Sequence, residues 1–171
     1  MKRYVAIFSL ILFILVIIWL FIEGMKPEVL PIGSIMPEIS YTDINETTIL
    51  KRDNNTHTLI VFFSEKCQHC QFELNELNKN INKLENVRVY LFTSDKRYLE
   101  SENIKKYTAL LNSTSTTFGI INLKEYKNKF GGTATPIIYF FNDKCALFAK
   151  KIGAAKFENI NNEINKELKN K

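Results

Sequence analysis

The sequence predicts an α/β domain, a mixed central sheet with helices on both faces, carried behind one membrane-spanning helix. Three observations lead there. Residues 5–22 are an uninterrupted apolar run. Short apolar runs at 59–63 and 137–141, and a third at 87–92 interrupted only by Arg88, alternate with segments of helical period. The 171 residues amount to a single domain at about 100–200 residues per domain. Strands that are apolar on both faces must be covered from both sides, and flanking helices do this. With 46% hydrophobic and 24% charged residues, the composition excludes disordered and collagen-like classes.

Val5 to Ile22 carries no charge, and its only polar side chains are Ser9 and the interfacial Trp19. Eighteen residues at 1.5 Å each cover about 27 Å, enough to cross a hydrocarbon core of about 30 Å once Tyr4 shares the span. The exit Trp19-Leu20-Phe21-Ile22-Glu23 has no small-x-small cleavage site, so an uncleaved anchor is expected. Lys2 and Arg3 precede the span, while Glu23, Lys26 and Glu28 follow it. The positive-inside bias therefore keeps the N-terminus cytoplasmic and places everything from Glu23 onward outside. A buried core helix would need cover around its whole circumference. The expected division is a tip and anchor over 1–22, a linker over 23–37 holding Pro27, Pro31, Gly33 and Pro37, and a domain over 38–171.

Beyond the anchor, 21 basic residues face 18 acidic ones, a formal charge of +3. That balance, with basic residues scattered in short pairs such as Lys105-Lys106, does not suit nucleic acid.

Ile39-Ser40-Tyr41-Thr42 and Thr47-Thr48-Ile49-Leu50 flank a polar stretch and predict a hairpin. Leu59 to Phe63 predicts a strand buried on both faces. Cys70, Leu74, Leu77, Ile81 and Leu84 recur at spacings of one helical face, so a helix follows. Val87 to Phe92 is a second buried strand, Glu102 to Leu111 a helix, and Leu123 to Phe130 a shorter one stopped by Gly131-Gly132. Pro136 opens a third strand, Ile137 to Phe141. The turn Asn142-Asp143-Lys144 leads to a fourth, Ala146 to Ile152, and a polar helix over Lys156 to Lys169 closes the chain.

Cys67-Gln68-His69-Cys70 sits where the first buried strand ends and its helix begins. Two cysteines three apart at a helix start can close a disulfide across one turn. Free backbone N–H groups and the positive end of the helix dipole stabilise an anion there, which makes Cys67 the attacking sulfur. Lys66 and His69 add positive or hydrogen-bonding character. Cys70 lies on the apolar helix face and is expected to be buried, the resolving thiol that releases a mixed disulfide. Glu73, three residues on, is within reach as its proton acceptor.

Other uses of the motif are less well served. A structural zinc site usually takes four Cys or His ligands, and beyond the motif the chain offers only His57 and Cys145. Covalent haem would want His after the second Cys, where Gln71 stands. A static disulfide over a two-residue loop constrains the unfolded chain very little. Copper delivery remains an alternative that lacks a further soft ligand. No cofactor is called for.

Phe62-Phe63-Ser64-Glu65-Lys66-Cys67-Gln68-His69-Cys70-Gln71-Phe72-Glu73, followed by Gly132-Thr133-Ala134-Thr135-Pro136, resembles the thioredoxin fold and, within it, the membrane-anchored TlpA/ResA-type thiol-disulfide oxidoreductases. The likeness runs from about Gly33 to the C-terminus, and Gly33-Ser34-Ile35-Met36-Pro37 is similar to the Gly-x-x-x-Pro entry of that branch. It implies an N-terminal hairpin extension over 39–50, a Cys67-Cys70 disulfide couple, Pro136 as the cis-proline facing it, and Thr135 offering backbone hydrogen bonds to substrate. It also implies that Glu73 is the acidic residue this branch carries after its second cysteine. The implied activity is disulfide reduction in exported proteins at a bacterial cell membrane, fed by a membrane electron donor.

Departures bear on the direction of electron flow. The usual Trp before the first Cys is Lys66, and the usual Pro before the second is His69, a residue that in Dsb-type proteins goes with an oxidising couple. An oxidant or isomerase is thus the alternative to a reductase. Thioredoxin's buried Asp is replaced by Val61, leaving Glu73 to substitute. A peroxiredoxin would carry Pro at the place of Ile60. Cys145, on a strand leading away from the site, is expected to be a packed or semi-exposed free thiol, with an intermolecular disulfide as alternative, and His57 a surface loop residue.

Overall fold

The computed structural model describes Phe8 and residues 11–19, 29–43, 46–132 and 134–169. Residues 11–19 are helical; the rest of the predicted span, 5–7, 9–10 and 20–22, lies outside the described residues. Among the described residues no helix is long and apolar enough to cross a membrane.

A seven-stranded mixed sheet organises the domain. Its strands are β1 (Ser40–Thr42), β2 (Thr47–Ile49), β3 (His57–Phe62), β4 (Val87–Thr93), β5 (Thr116–Ile121), β6 (Ile137–Phe141) and β7 (Leu147–Ile152), in the spatial order β2-β1-β5-β4-β3-β6-β7. The parallel neighbours are β3 with β4 and β4 with β5; β6 lies antiparallel to β3, with Val61 opposite Ile138. The helices are α1 (Gln68–Asn80), α2 (Lys96–Glu100), α3 (Glu102–Lys105), α4 (Thr108–Asn112), α5 (Leu123–Phe130) and α6 (Phe157–Lys169).

All six residues of β3 are buried, as its continuous apolar run requires. Successive strand side chains point to opposite faces, so β3 feeds both halves of the core. Leu59, Val61 and Phe63 join Leu74 and Leu77 of α1 and Ile160 of α6. Ile60 and Phe62 join Tyr126 and Phe130 of α5 and Tyr139 of β6. Phe62 stacks on Tyr126 with ring centroids 3.6 Å apart, and Phe130 and Tyr139 meet it edge-on. The stretch expected as linker contributes as well. Leu30 and Met36 are buried, and Gly33 N–H and Met36 N–H donate to the carbonyls of Leu147 and Cys145.

Three expectations are corrected. The strand β5 was not foreseen, because Thr116-Thr117-Phe118-Gly119-Ile120-Ile121 shows neither a clean alternation nor an unbroken apolar run. It joins the hairpin to the rest of the sheet, pairing with β1 on one side and β4 on the other. The single helix expected over 102–111 is two short ones, since Tyr107 leaves the helical region (ψ 56°), and extended Ser101 (ψ 151°) separates them from a further short helix, α2, just before. Burial of Tyr98, Ile104, Tyr107 and Leu110 holds this broken path against the sheet. His57 is no surface loop residue. It opens β3, is 7% exposed, and meets Phe148 edge-on at 6.2 Å.

Candidate active site

The motif lies at the carboxyl end of β3, where β3 turns into α1. Cys67 is the N-cap of α1, with extended backbone (φ −90°, ψ 110°), and its Sγ accepts from the N–H of Cys70 at 3.2 Å. That is the role a Ser or Asp oxygen plays at other helix starts, filled here by sulfur. The turn is closed by Cys67 N–H donating to Ser64 and Gln71 N–H donating to Cys67. Gln71 Nε2 donates to the carbonyl of Glu65, whose Oε1 accepts from Asn103 on α3. Lys66, Gln68 and His69 are all exposed around this turn.

Cys67 is half-buried and Cys70 buried, both as free thiols. The Cys70 Sγ accepts from the N–H of Ser64 at 3.5 Å. Loss of hydration, with the hydrogen bond to Cys67 adding to it, pushes the Cys70 thiol up to about 12. It therefore stays protonated at neutral pH until a base removes its proton.

The loop before β6 completes the site. The Thr135–Pro136 bond is cis, the isomer the resemblance implies, and Thr135 O accepts from Cys67 Sγ at 3.5 Å. Beside it a cavity of about 230 Å³ opens between Ser64, Ser94, Leu123, Tyr126 and Thr135.

Glu73 lies on α1 with a carboxyl that is 0% exposed. Its Oε1 accepts from Ala155 N–H at 3.3 Å, and its Oε2 has no hydrogen-bond partner among the described residues. Burial raises this carboxyl to about 8, the hydrogen bond from Ala155 opposing it. Such a group changes charge near neutrality, which suits proton transfer. Val61 is fully buried beneath, with no acidic neighbour supplied by the strand.

Cys145 stands apart. It is in the turn before β7 rather than on the strand, at φ 58°, and its buried Sγ lies 3.3 Å from Asn54 Oδ1 and 3.5 Å from Asp53 O. Among the described residues no cluster of three or more His, Cys, Asp or Glu is placed to hold a metal. Sequence reasoning passed over Ser64, Gly153 and Ala155, because their contribution is through backbone N–H groups that any residue type supplies.

A family model of the thioredoxin-like domain matches residues 44–167. No curated protein sequence matches the chain. Among solved structures, a peroxiredoxin-like protein from Aquifex aeolicus superposes with a TM-score of 0.66 at 13% identity, over 82% of this chain and 89% of that one. The thioredoxin domain of a thiol-disulfide oxidoreductase from Bacteroides vulgatus gives 0.63 at 20% identity, over 80% and 97%. StoA from Bacillus subtilis gives 0.59 at 14%, over 76% and 98%. At these identities the likeness is one of fold, and peroxiredoxins and disulfide oxidoreductases share it. With the family model covering most of the chain, and a cysteine pair at the start of α1 facing a cis-proline, the chain belongs to the thioredoxin-like domain family.

Proposed function

We propose that this protein is a membrane-anchored, extracytoplasmic thiol-disulfide oxidoreductase that reduces disulfides in exported proteins through a Cys67/Cys70 couple. One observation carries the reading: a half-buried sulfur at a helix N-cap faces the Thr135 carbonyl, while its partner three residues on is fully buried. The outer sulfur is placed to meet a substrate and the inner one to meet only Cys67.

In the first step the Cys67 thiolate attacks one sulfur of a substrate disulfide. A Cys67–substrate disulfide forms, the substrate S–S bond breaks, and the second substrate sulfur leaves as a thiolate. The substrate segment lies against Thr135 and Pro136. Glu73 then accepts the Cys70 proton, and the Cys70 thiolate attacks Cys67 Sγ. The Cys67–Cys70 bond forms as the first substrate sulfur leaves, and the protons from Cys67 and Cys70 end on the two product thiols. Two electrons pass to the substrate; a dithiol donor in the membrane returns them.

The anchor over 5–22 and the basic Lys2 and Arg3 support placing the domain outside the cytoplasm. His69, exposed within the motif, favours a second reading as oxidant or isomerase, which differs only in the direction of electron flow. A peroxidatic role is disfavoured by Ile60, buried within β3 where a peroxiredoxin carries Pro.

The test is trapping. Membranes from cells carrying Cys70→Ala should yield mixed disulfides between Cys67 and exported proteins, resolved on non-reducing gels, and Cys67→Ala should yield none. Equal adducts from both variants, or none while Cys67 remains alkylatable, would reject the division of roles.

A further inference from the structure

Both halves of the proposed site are held by one short stretch of backbone. Gly153 N–H donates to the carbonyl of Pro136 at 2.8 Å, and two residues later Ala155 N–H donates to Oε1 of Glu73 at 3.3 Å. Gly153 has φ +87°, in the left-handed region that side chains disfavour, yet no atom lies within 4 Å of where its Cβ would stand. Conformation, not space, calls for glycine. Phe157 N–H then donates to Oε2 of Glu76 at 3.4 Å, one turn along α1 from Glu73. The segment leaving β7 is thus fastened to the cis-proline loop at one end and to α1 at the other.

We propose that residues 153–155 are a positioning strap for disulfide exchange, fixing the substrate-facing Thr135-Pro136 loop relative to the Glu73 carboxyl through two backbone hydrogen bonds. The inference rests on the function proposed above and deepens it. A substrate that shifts the Pro136 carbonyl moves Gly153, and through it the hydrogen bond from Ala155 N–H to the Glu73 carboxyl. The groups around that carboxyl leave the strap in control. On α1 they are Cys70 and Glu76, one turn to either side. Lys156 and Glu158, which follow the strap at the start of α6, are exposed and contribute nothing to the shift of that carboxyl. The core side chains from β3 and β6 on this face, Leu59, Val61, Ile138 and Phe140, are apolar. Only burial and the Ala155 N–H shift the carboxyl.

The experiment uses the full chain in detergent and a single turnover with 5,5′-dithiobis(2-nitrobenzoate). The first thionitrobenzoate released reports attack by Cys67, and the second reports resolution by Cys70. In the wild type the resolution rate should show an inflection near pH 8, where Glu73 becomes able to accept the Cys70 proton, and Glu73→Gln should remove that inflection, leaving slower resolution that climbs steadily with pH as Cys70 ionises directly. Replacing Ala155 by lactic acid, which turns its N–H into an ester oxygen, should move the midpoint up by about one pH unit with first-step rates unchanged. Gly153→Ala should move it in the same direction. Gly33→Ala, at φ +90° with equally open surroundings but placed at the edge of β7, should lower stability without moving it.

An unmoved midpoint in both strap variants, with stability losses like that of Gly33→Ala, would overturn the strap. If the wild type shows no titration that Glu73→Gln removes, the assignment of Glu73 fails and the strap with it. Normal first-step release in that case would leave the dithiol reading standing.

Discussion

The sulfur of Cys67 donates to the carbonyl oxygen of Thr135 at 3.5 Å, across 68 residues of sequence. The contact joins the end of β3 to the start of β6, two interior strands that lie side by side and antiparallel in the sheet. In the function proposed above, this carbonyl beside the attacking sulfur is where an incoming substrate segment would meet the backbone.

The couple should be reducing, with a potential nearer thioredoxin's about −270 mV than the roughly −120 mV of a strong oxidant. Equilibrating the full chain in detergent against dithiothreitol and glutathione buffers measures it. Because His69 stands exposed in the first turn of α1, two residues after the N-cap Cys67, His69→Pro should make the couple more reducing. An unchanged or higher potential in that variant would assign the poise to other groups.

Glu73 makes stability fall with rising pH. Its folded-state pKa, about 8, lies above the ordinary 4.5. Between those values the folded protein keeps a proton that the unfolded chain has lost, so the contribution is full below pH 4.5 and gone above pH 8. The difference is on the order of 5 kcal/mol, the cost of ionising a buried carboxyl. Urea unfolding across this range should show the decline in the wild type and its absence in Glu73→Gln. A Gln variant with the same slope would assign the decline elsewhere.

Gly119→Ala should cost about 1–3 kcal/mol, the usual price of overpacking. An added Cβ would stand 2.7 Å from Tyr41 Cδ2 and 3.0 Å from Phe92 Cε1, both ring atoms. Since Tyr41 belongs to β1, the loss should come with faster amide exchange in the hairpin, read by hydrogen–deuterium exchange. Wild-type stability in the variant would mean the rings move aside freely.

The elements whose side chains alone decide their environment were legible in the sequence. Leu59-Ile60-Val61-Phe62-Phe63 is apolar on both faces, and it became β3, a strand inside the sheet with all six of its residues buried. The spacing of Cys70, Leu74 and Leu77 fixed which face of α1 is buried, and Cys67 took the N-cap that its place before the helix suggested. Tertiary structure decided what depends on neighbours far along the chain. The strand β5 exists because β1 and β4 supply its hydrogen bonds, and Gly119 because two rings crowd it. His57 is buried because Phe148 covers it, although its place before an apolar run says nothing of cover. Glu73 could be named from its spacing to Cys70. Its raised proton affinity comes from complete burial in the assembled fold, and the hydrogen bond that opposes it comes from the backbone N–H of Ala155, some eighty residues later. A sequence shows which side chains must leave water; which backbone groups meet them there is settled only when the sheet and its helices are assembled.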